Sequence, residues 1–134
     1  MADIADIEGI GPIYADKLRA AGAGTTDALL ELAGTREGRE ALAGETGIPD
    51  VRILEWVNHA DLFRIKGVGS EYADLLEAGG VDSVPELAHR NTGSLHKRLV
   101  AVNQRRRLVR SVPTESQIGS WVEQAKHLER AVHH

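Results

Sequence analysis

One stretch of the chain occurs twice, and it constrains the fold more than any other feature. Residues 7–22 read IEGIGPIYADKLRAAG and residues 65–80 read IKGVGSEYADLLEAGG, with 9 of 16 positions identical and no gap. Each copy opens with apolar-x-Gly-apolar-Gly, a pattern typical of a tight turn with a positive φ angle. Each copy then continues with the apolar spacing of a helix. We call residues 7–11 the first hairpin and residues 65–69 the second hairpin.

A second spacing also recurs, further along each half of the chain. It consists of Ile53, Trp56, Val57 and Ala60, and again of Ile118, Trp121, Val122 and Ala125. The spacing predicts one helix in each half, with its tryptophan in the core and with Tyr14 or Tyr72 packed beside the hairpin. Aromatic residues make up only 4% of the chain, so the core is expected to be aliphatic and helical.

The sequence therefore predicts an all-α fold of about eight to ten short helices. We expect a single domain, residues 1–134, in which two pseudo-equivalent halves, residues 1–61 and 62–134, share one core. Capping-box patterns predict helix starts at Ser83–Glu86 and Thr114–Gln117. A helix is predicted over residues 92–103 with the basic residues 105–107 following it, and residues 133–134 are expected to fray.

The two copies resemble the helix-hairpin-helix motif. Both have Gly-apolar-Gly, then Ala four residues on, Leu three further and a closing Gly four later. Similar tandem motifs occur in DNA ligases, Holliday-junction proteins and repair nucleases, where paired hairpins grip duplex backbone across the minor groove. Nearly the whole chain is similar to an uncharacterised bacterial family of such proteins, a domain of unknown function, as the stretch ILEWVNHADLFRIKGVGSEYADLLEAGGVDSVPELAHRN indicates.

The resemblance implies phosphate contacts at the backbone of both hairpins, and the flanking charges make the two unequal. Arg64 and Lys66 can add charge-assisted contacts at the second hairpin, whereas Asp6 and Glu8 stand at the matching positions of the first. The second hairpin is therefore predicted to be the competent one, through Arg64, Lys66, Gly67, Val68, Gly69 and Ser70. A weaker site is predicted at Gly9, Ile10 and Gly11.

The charge distribution adds a second candidate surface. Residues 1–60 carry 5 Lys/Arg and 11 Asp/Glu, whereas residues 61–134 carry 11 and 9. Residues 90–110, which we call the basic segment, contain seven Lys/Arg and no acid. Such a segment indicates a localised anion-binding face. Its predicted phosphate ligands are Lys97, Arg98, Arg105, Arg106, Arg107 and Arg110.

Together these features predict a non-enzymatic protein that binds duplex DNA or structured RNA without marked sequence preference. The alternative is a protein-interaction or scaffold module, self-association included. In that alternative the hairpins are purely structural, and the acidic half of one molecule meets the basic half of another or docks on a partner. A separate interpretation of the basic segment is a solvated helix face paired with acids of the first half.

Other functional classes lack their sequence signals. There is no cysteine, the six histidines lack ligand spacing, and no phosphate-binding Walker loop occurs. Asp16 and Asp74 recur, but one carboxylate per repeat on a helix surface is not an acid/base pair. We therefore expect no metal, no cofactor and no enzymatic activity. Without a long apolar run or a basic leader, we also expect a cytoplasmic protein that does not contact a membrane.

Overall fold

The computed structural model describes residues 2–134, which form eight α-helices, one short 3-10 helix and no strand. The predicted all-α class with about eight helices is confirmed. No helix in this range is both long enough and apolar enough to span a membrane. The 3-10 helix is Ile4–Asp6, and the α-helices are α1 Pro12–Ala20, α2 Thr26–Ala33, α3 Arg36–Thr46, α4 Asp50–Leu62, α5 Ser70–Ala78, α6 Val84–Ala88, α7 Thr92–Arg106 and α8 Glu115–His127.

Helix α7 is longer than its sequence pattern predicts. It runs to Arg106, so Arg105 and Arg106 form its last turn instead of following it, and Arg107 ends it with φ 49°. Cations in the last turn are favourable because they face the negative end of the helix dipole. The capping box at Thr114 is present as predicted, since the Gln117 N–H donates to the Thr114 side chain and the Thr114 N–H donates to Oε1 of Gln117.

The two hairpins follow the same backbone path. Gly9 and Gly67 have φ angles of 93° and 97°, as the doubled glycine pattern predicts. The apolar residue between the glycines, Ile10 or Val68, is buried, and its N–H donates to the carbonyl three residues earlier, at 3.2 and 3.1 Å. Each hairpin is therefore a tight turn that is held by its buried central residue and by one backbone hydrogen bond, and it leads into α1 or α5.

The buried side chains form two clusters, which corrects the expectation of one shared core. The first cluster consists of buried apolar side chains from residues 4–60 together with Val132. The second consists of buried apolar side chains from residues 62–125, and Phe63 packs against both clusters. Each cluster holds one of the predicted tryptophans in contact with a tyrosine. The Tyr14–Trp56 ring centroids are 5.4 Å apart and the Tyr72–Trp121 centroids 5.2 Å apart. Each half thus encloses its own hairpin, helices and aromatic pair.

After α8 the chain returns to the first half as an extended segment, residues 128–134, which we call the strap. Val132 is buried in the first cluster. The His133 N–H donates to the Gly34 carbonyl at 2.7 Å, and the buried Arg39 donates to the His133 carbonyl at 2.9 Å. The expectation that His133 frays is wrong, because its backbone is bonded on both sides. The strap joins the end of the second half to the core of the first.

Alanine substitutions at the two equivalent glycines are expected to cost different amounts. Both place a side chain at a positive φ angle, which costs about 1–2 kcal/mol. A Cβ at residue 67 would also lie 3.0 Å from Nε1 of Trp121, whereas a Cβ at residue 9 meets nothing within 4 Å. We expect Gly67→Ala to lose about 1 kcal/mol more than Gly9→Ala in the free energy of unfolding, measured with urea. Equal losses of unfolding free energy in the two variants would mean that Gly67 does not pack closely against Trp121.

Candidate nucleic-acid interface

The second hairpin lies at a cleft between the two halves. The cleft has a volume of about 790 Å³, and its lining includes Lys66, Val68, Gly69 and Ser70 of the predicted site. Two carboxylates of the first half, Asp6 and Asp27, line it as well. The predicted hairpin residues are therefore together, but the electrostatic field around them is mixed in sign.

Two backbone groups of this hairpin remain open to a ligand. Within residues 2–134, the N–H groups of Gly67 and Gly69 donate to no protein acceptor, and both residues are exposed. The Lys66 backbone is bonded to the Gln124 side chain, which accepts from the Lys66 N–H at 2.9 Å and donates to its carbonyl at 3.2 Å. Since Gln124 bonds only to the backbone of Lys66, the side-chain ammonium group of Lys66 remains exposed beside the N–H groups of Gly67 and Gly69.

Arg64 does not take the role that its sequence position predicts. Its guanidinium donates to the buried carboxylate of Asp61 at 2.8 Å and to the Glu129 carbonyl at 2.6 Å, and its side chain is only 18% exposed. The physical reason is the charge on Asp61, which is fully buried and requires a cation. Arg64 therefore joins α4 to the strap, and the free cation of the second hairpin is Lys66.

The first hairpin contacts the helix that follows the second hairpin. The Glu8 N–H donates to the hydroxyl of Ser70, the first residue of α5, at 3.2 Å, and Ser70 also lines the cleft. Beyond this contact, Gly9 and Gly11 border a hollow of about 590 Å³ that also includes Ile13, whose side chain is 72% exposed. The first hairpin thus carries the exposed acid Glu8 and borders a hollow that is apolar except for Lys17, whereas the second hairpin carries the exposed cation Lys66.

The basic segment is exposed and lacks ion-pair partners. Within residues 2–134, none of its Lys or Arg side chains has a carboxylate oxygen within 4.0 Å. The ion pairs that internal neutralisation would need are therefore not formed. Arg98 does anchor part of the segment, because its Nε donates to the Gly79 carbonyl at 3.2 Å. The exposed members are Lys97, Arg98, Arg105, Arg106, Arg107 and Arg110.

The structure does not bring the second hairpin and the basic segment into one pocket. Arg106 and Arg107 line a separate groove of about 560 Å³, with Glu8, Asp74 and Glu77 opposite. The other exposed members of the basic segment line neither this groove nor the cleft. A ligand that reached both surfaces would have to be extended, as a nucleic-acid backbone is.

The groove contains a cluster that the sequence did not reveal, the acid–imidazole cluster of Glu8, His59, Asp74 and Glu77. His59 comes from α4 and is 7% exposed. Its Nε2 contacts the Glu77 carboxylate closely and lies 3.5 Å from Oδ1 of Asp74. The repeated Tyr-Ala-Asp gives Asp16 and Asp74 the same helical position, but the residue three positions on differs, since it is Arg19 in α1 and Glu77 in α5. Only packing across the two halves brings Glu8 and His59 to Asp74.

Proton affinities in this cluster are displaced from their ordinary values. Burial, the hydrogen bond with Glu8 and the negative charge around it raise the pKa of Asp74 to about 7. Burial lowers the pKa of His59, but the hydrogen bond to Glu77 and the neighbouring carboxylates outweigh it, so its pKa is raised. The hydrogen bond from His59 lowers the pKa of Glu77. Among residues 2–134, no three His, Asp or Glu side chains are placed to hold a metal ion.

A family model described as Domain of unknown function (DUF4332) matches residues 8–128. The match spans both hairpins, the acid–imidazole cluster and the basic segment, and it agrees with the resemblance to a domain of unknown function seen in the sequence. Comparisons with curated proteins and with solved structures gave no match.

Proposed function

We propose that this chain, which belongs to the DUF4332 family, binds nucleic acid through the phosphate backbone, without sequence preference and without catalysis. The observation that carries the proposal is the basic segment, whose exposed cations have no ion-pair partner among residues 2–134. Unpaired, solvated cations on one helix and its following loop are what phosphate neutralisation with counterion release needs.

The second hairpin supports the same proposal with a smaller contribution. Its exposed Lys66 and the free N–H groups of Gly67 and Gly69 lie just before the N-terminus of α5. Such a group of donors suits a phosphate oxygen and reads no base sequence. Asp6 and Asp27 across the cleft oppose an anion, so most of the affinity is assigned to the basic segment.

Within the basic segment the cations are unequal. Arg106 and Arg107 face the carboxylates of the groove, which reduce the positive potential there. Arg105 and Arg110 line neither groove and are exposed, so their full charge is available to a phosphate.

A protein-interaction module is the second candidate. It is favoured by Ile13, a large aliphatic side chain left 72% exposed in the hollow at the first hairpin. The charge difference between residues 1–60 and residues 61–134, −6 against +2 from the residue counts above, also suits docking on a charged partner. This candidate gains if the folded protein binds no duplex at low salt.

The nucleic-acid proposal makes a quantitative prediction for duplex binding. Three to five phosphate contacts give a slope of log K against log salt of about −3 to −4 for the native chain. The triple substitution of Arg105, Arg106 and Arg107 to Ala should weaken binding about tenfold or more and reduce the slope by about 2 to 3. Lys66→Glu should weaken binding by a smaller factor. Fluorescence anisotropy with a mixed-sequence duplex between 20 and 200 mM salt, roughly the range over which such contacts respond, measures both.

The matched control removes the same net charge elsewhere. Arg36, Arg52 and Lys126 are exposed and line neither the cleft nor the groove, so their joint substitution to Ala should leave the slope within about one unit of the native value. Equal losses in the two triple variants would assign any binding to net charge alone. Absence of binding at low salt by a folded protein would end the proposal.

A further inference from the structure

The junction between the first hairpin and α5 is made by groups that exchange protons. Glu8 is held there by its backbone, because its N–H donates to the Ser70 hydroxyl at the start of α5. Its carboxyl group faces that of Asp74, and both line the same groove. Two carboxylates in contact repel each other unless one of them carries a proton.

Charges from every neighbouring element act on this pair. Helix α4 contributes His59, which lies between Asp74 and Glu77, and Glu55, whose charge also reaches His59. Helix α5 contributes Glu77 beside Asp74 itself. The end of α7 contributes Arg106, which acts on Glu77, and Arg107, which lines the same groove. His59 makes its close contact with Glu77, so it does not neutralise both Glu8 and Asp74.

We propose that a proton on Asp74, beside the carboxyl group of Glu8, is a pH-controlled latch between the first hairpin and α5, which holds in mildly acidic solution and is lost as the pH rises to neutrality. The latch joins the two halves of the chain, because Glu8 belongs to the first and Asp74 to the second. It is independent of nucleic-acid binding, and its test uses the protein alone.

The sign of the pH effect follows from which state binds the proton more tightly. The pKa of Asp74 is higher in the folded than in the unfolded chain, so its contribution to stability is complete below about 4 and is lost as the pH rises through about 7. The raised pKa of His59 acts in the same direction, between its ordinary value of 6.5 and its folded value. Glu77 acts oppositely, since its lowered pKa contributes stability above 4.5 that is lost on acidification. The three effects together place the greatest stability at about pH 4–5, where Glu77 is ionised and Asp74 still carries its proton.

Two substitutions imitate the protonated latch. Asp74→Asn and Glu8→Gln each replace one carboxyl with an amide, which donates a hydrogen bond to the remaining carboxylate at any pH. The Tm of the native chain should fall by about 3–6 °C between pH 5.5 and 8. Both variants should match it at pH 5.5 and exceed it by about 3 °C at pH 8. The result would overturn the latch if either variant melted below the native chain at pH 8.

The repeat offers a matched control. Asp16 is the counterpart of Asp74 in α1, but its side chain is 80% exposed and lies beside Arg19 at 3.5 Å. Asp16→Asn should follow the native Tm at both pH values.

NMR of the side-chain carboxyl carbons in the full chain measures the pKa of Asp74 directly. Asp74 should titrate near pH 7, and its midpoint should fall by at least about one unit in Glu8→Gln, because one negative neighbour is gone. An Asp74 that titrated in the range of exposed aspartates would refute the latch even if the melting temperatures agreed with it.

Discussion

Replacing Val132 with Asp is expected to lower the free energy of unfolding by about 4 kcal/mol, among the largest single losses available in this chain. Val132 is 1% exposed and packs in the first core cluster, although it follows the last helix of the second half. An aspartate at this position would bury a carboxylate among aliphatic side chains, and burying a charge without an ion-pair partner is costly. Urea denaturation followed by tryptophan fluorescence reports the loss, since Trp56 belongs to the same cluster.

The same substitution at an exposed valine is the control. Val51 is 61% exposed, so Val51→Asp should change the free energy of unfolding by no more than about 0.5 kcal/mol. If Val132→Asp were equally mild, the strap would not be docked on the first half. Its hydrogen bonds to Gly34 and Arg39 would then contribute nothing to stability.

Asp61→Ala is expected to lower the free energy of unfolding by about 3–5 kcal/mol, because it removes one partner of a buried ion pair. Oδ1 of Asp61 accepts from Arg64 at 2.8 Å, and Oδ2 accepts from the Val84 N–H at the start of α6 at 2.7 Å. Removing the carboxylate leaves a mostly buried guanidinium and a buried backbone donor without an acceptor. The loss is measured by chemical denaturation at pH 7.

A double substitution separates the ion pair from the packing around it. In Asp61→Ala with Arg64→Met no charge remains unpaired, so the double variant should recover about half or more of the loss. Asp82→Ala, which removes an exposed carboxylate near α6, should cost less than about 0.5 kcal/mol. A double variant less stable than Asp61→Ala alone would show that Arg64 stabilises the fold through contacts other than Asp61.

Local patterns predicted the parts of the fold that depend on neighbouring residues. The first glycine of each hairpin is suited to a positive φ angle, and Gly9 and Gly67 adopt one. The capping box at Thr114 and the burial of Trp56 and Trp121 likewise follow from spacing along one helix. Helix α7 was predicted too short because its last turn carries polar residues, and apolar periodicity does not register them.

The candidate site was predicted less well, because the state of a charged side chain depends on distant partners. Arg64 and Lys66 are alternate residues of one turn, yet Arg64 is bonded to Asp61 and Glu129 while Lys66 is exposed. The sequence identified the residues of the basic segment, but it could not show that Arg106 and Arg107 line a groove with Glu8 of the first hairpin instead of the cleft at the second hairpin.

The sequence by itself determined most of the helices and the two equivalent turns, because these depend on φ preferences, caps and spacing within a few residues. Only the tertiary structure decided what each copy of the repeat does. Asp16 and Asp74 occupy the same position of the repeat, yet one is solvated beside Arg19 and the other faces Glu8 and His59. The energy of a charge is set by the dielectric and the partners around it, and those come from the other half of the chain.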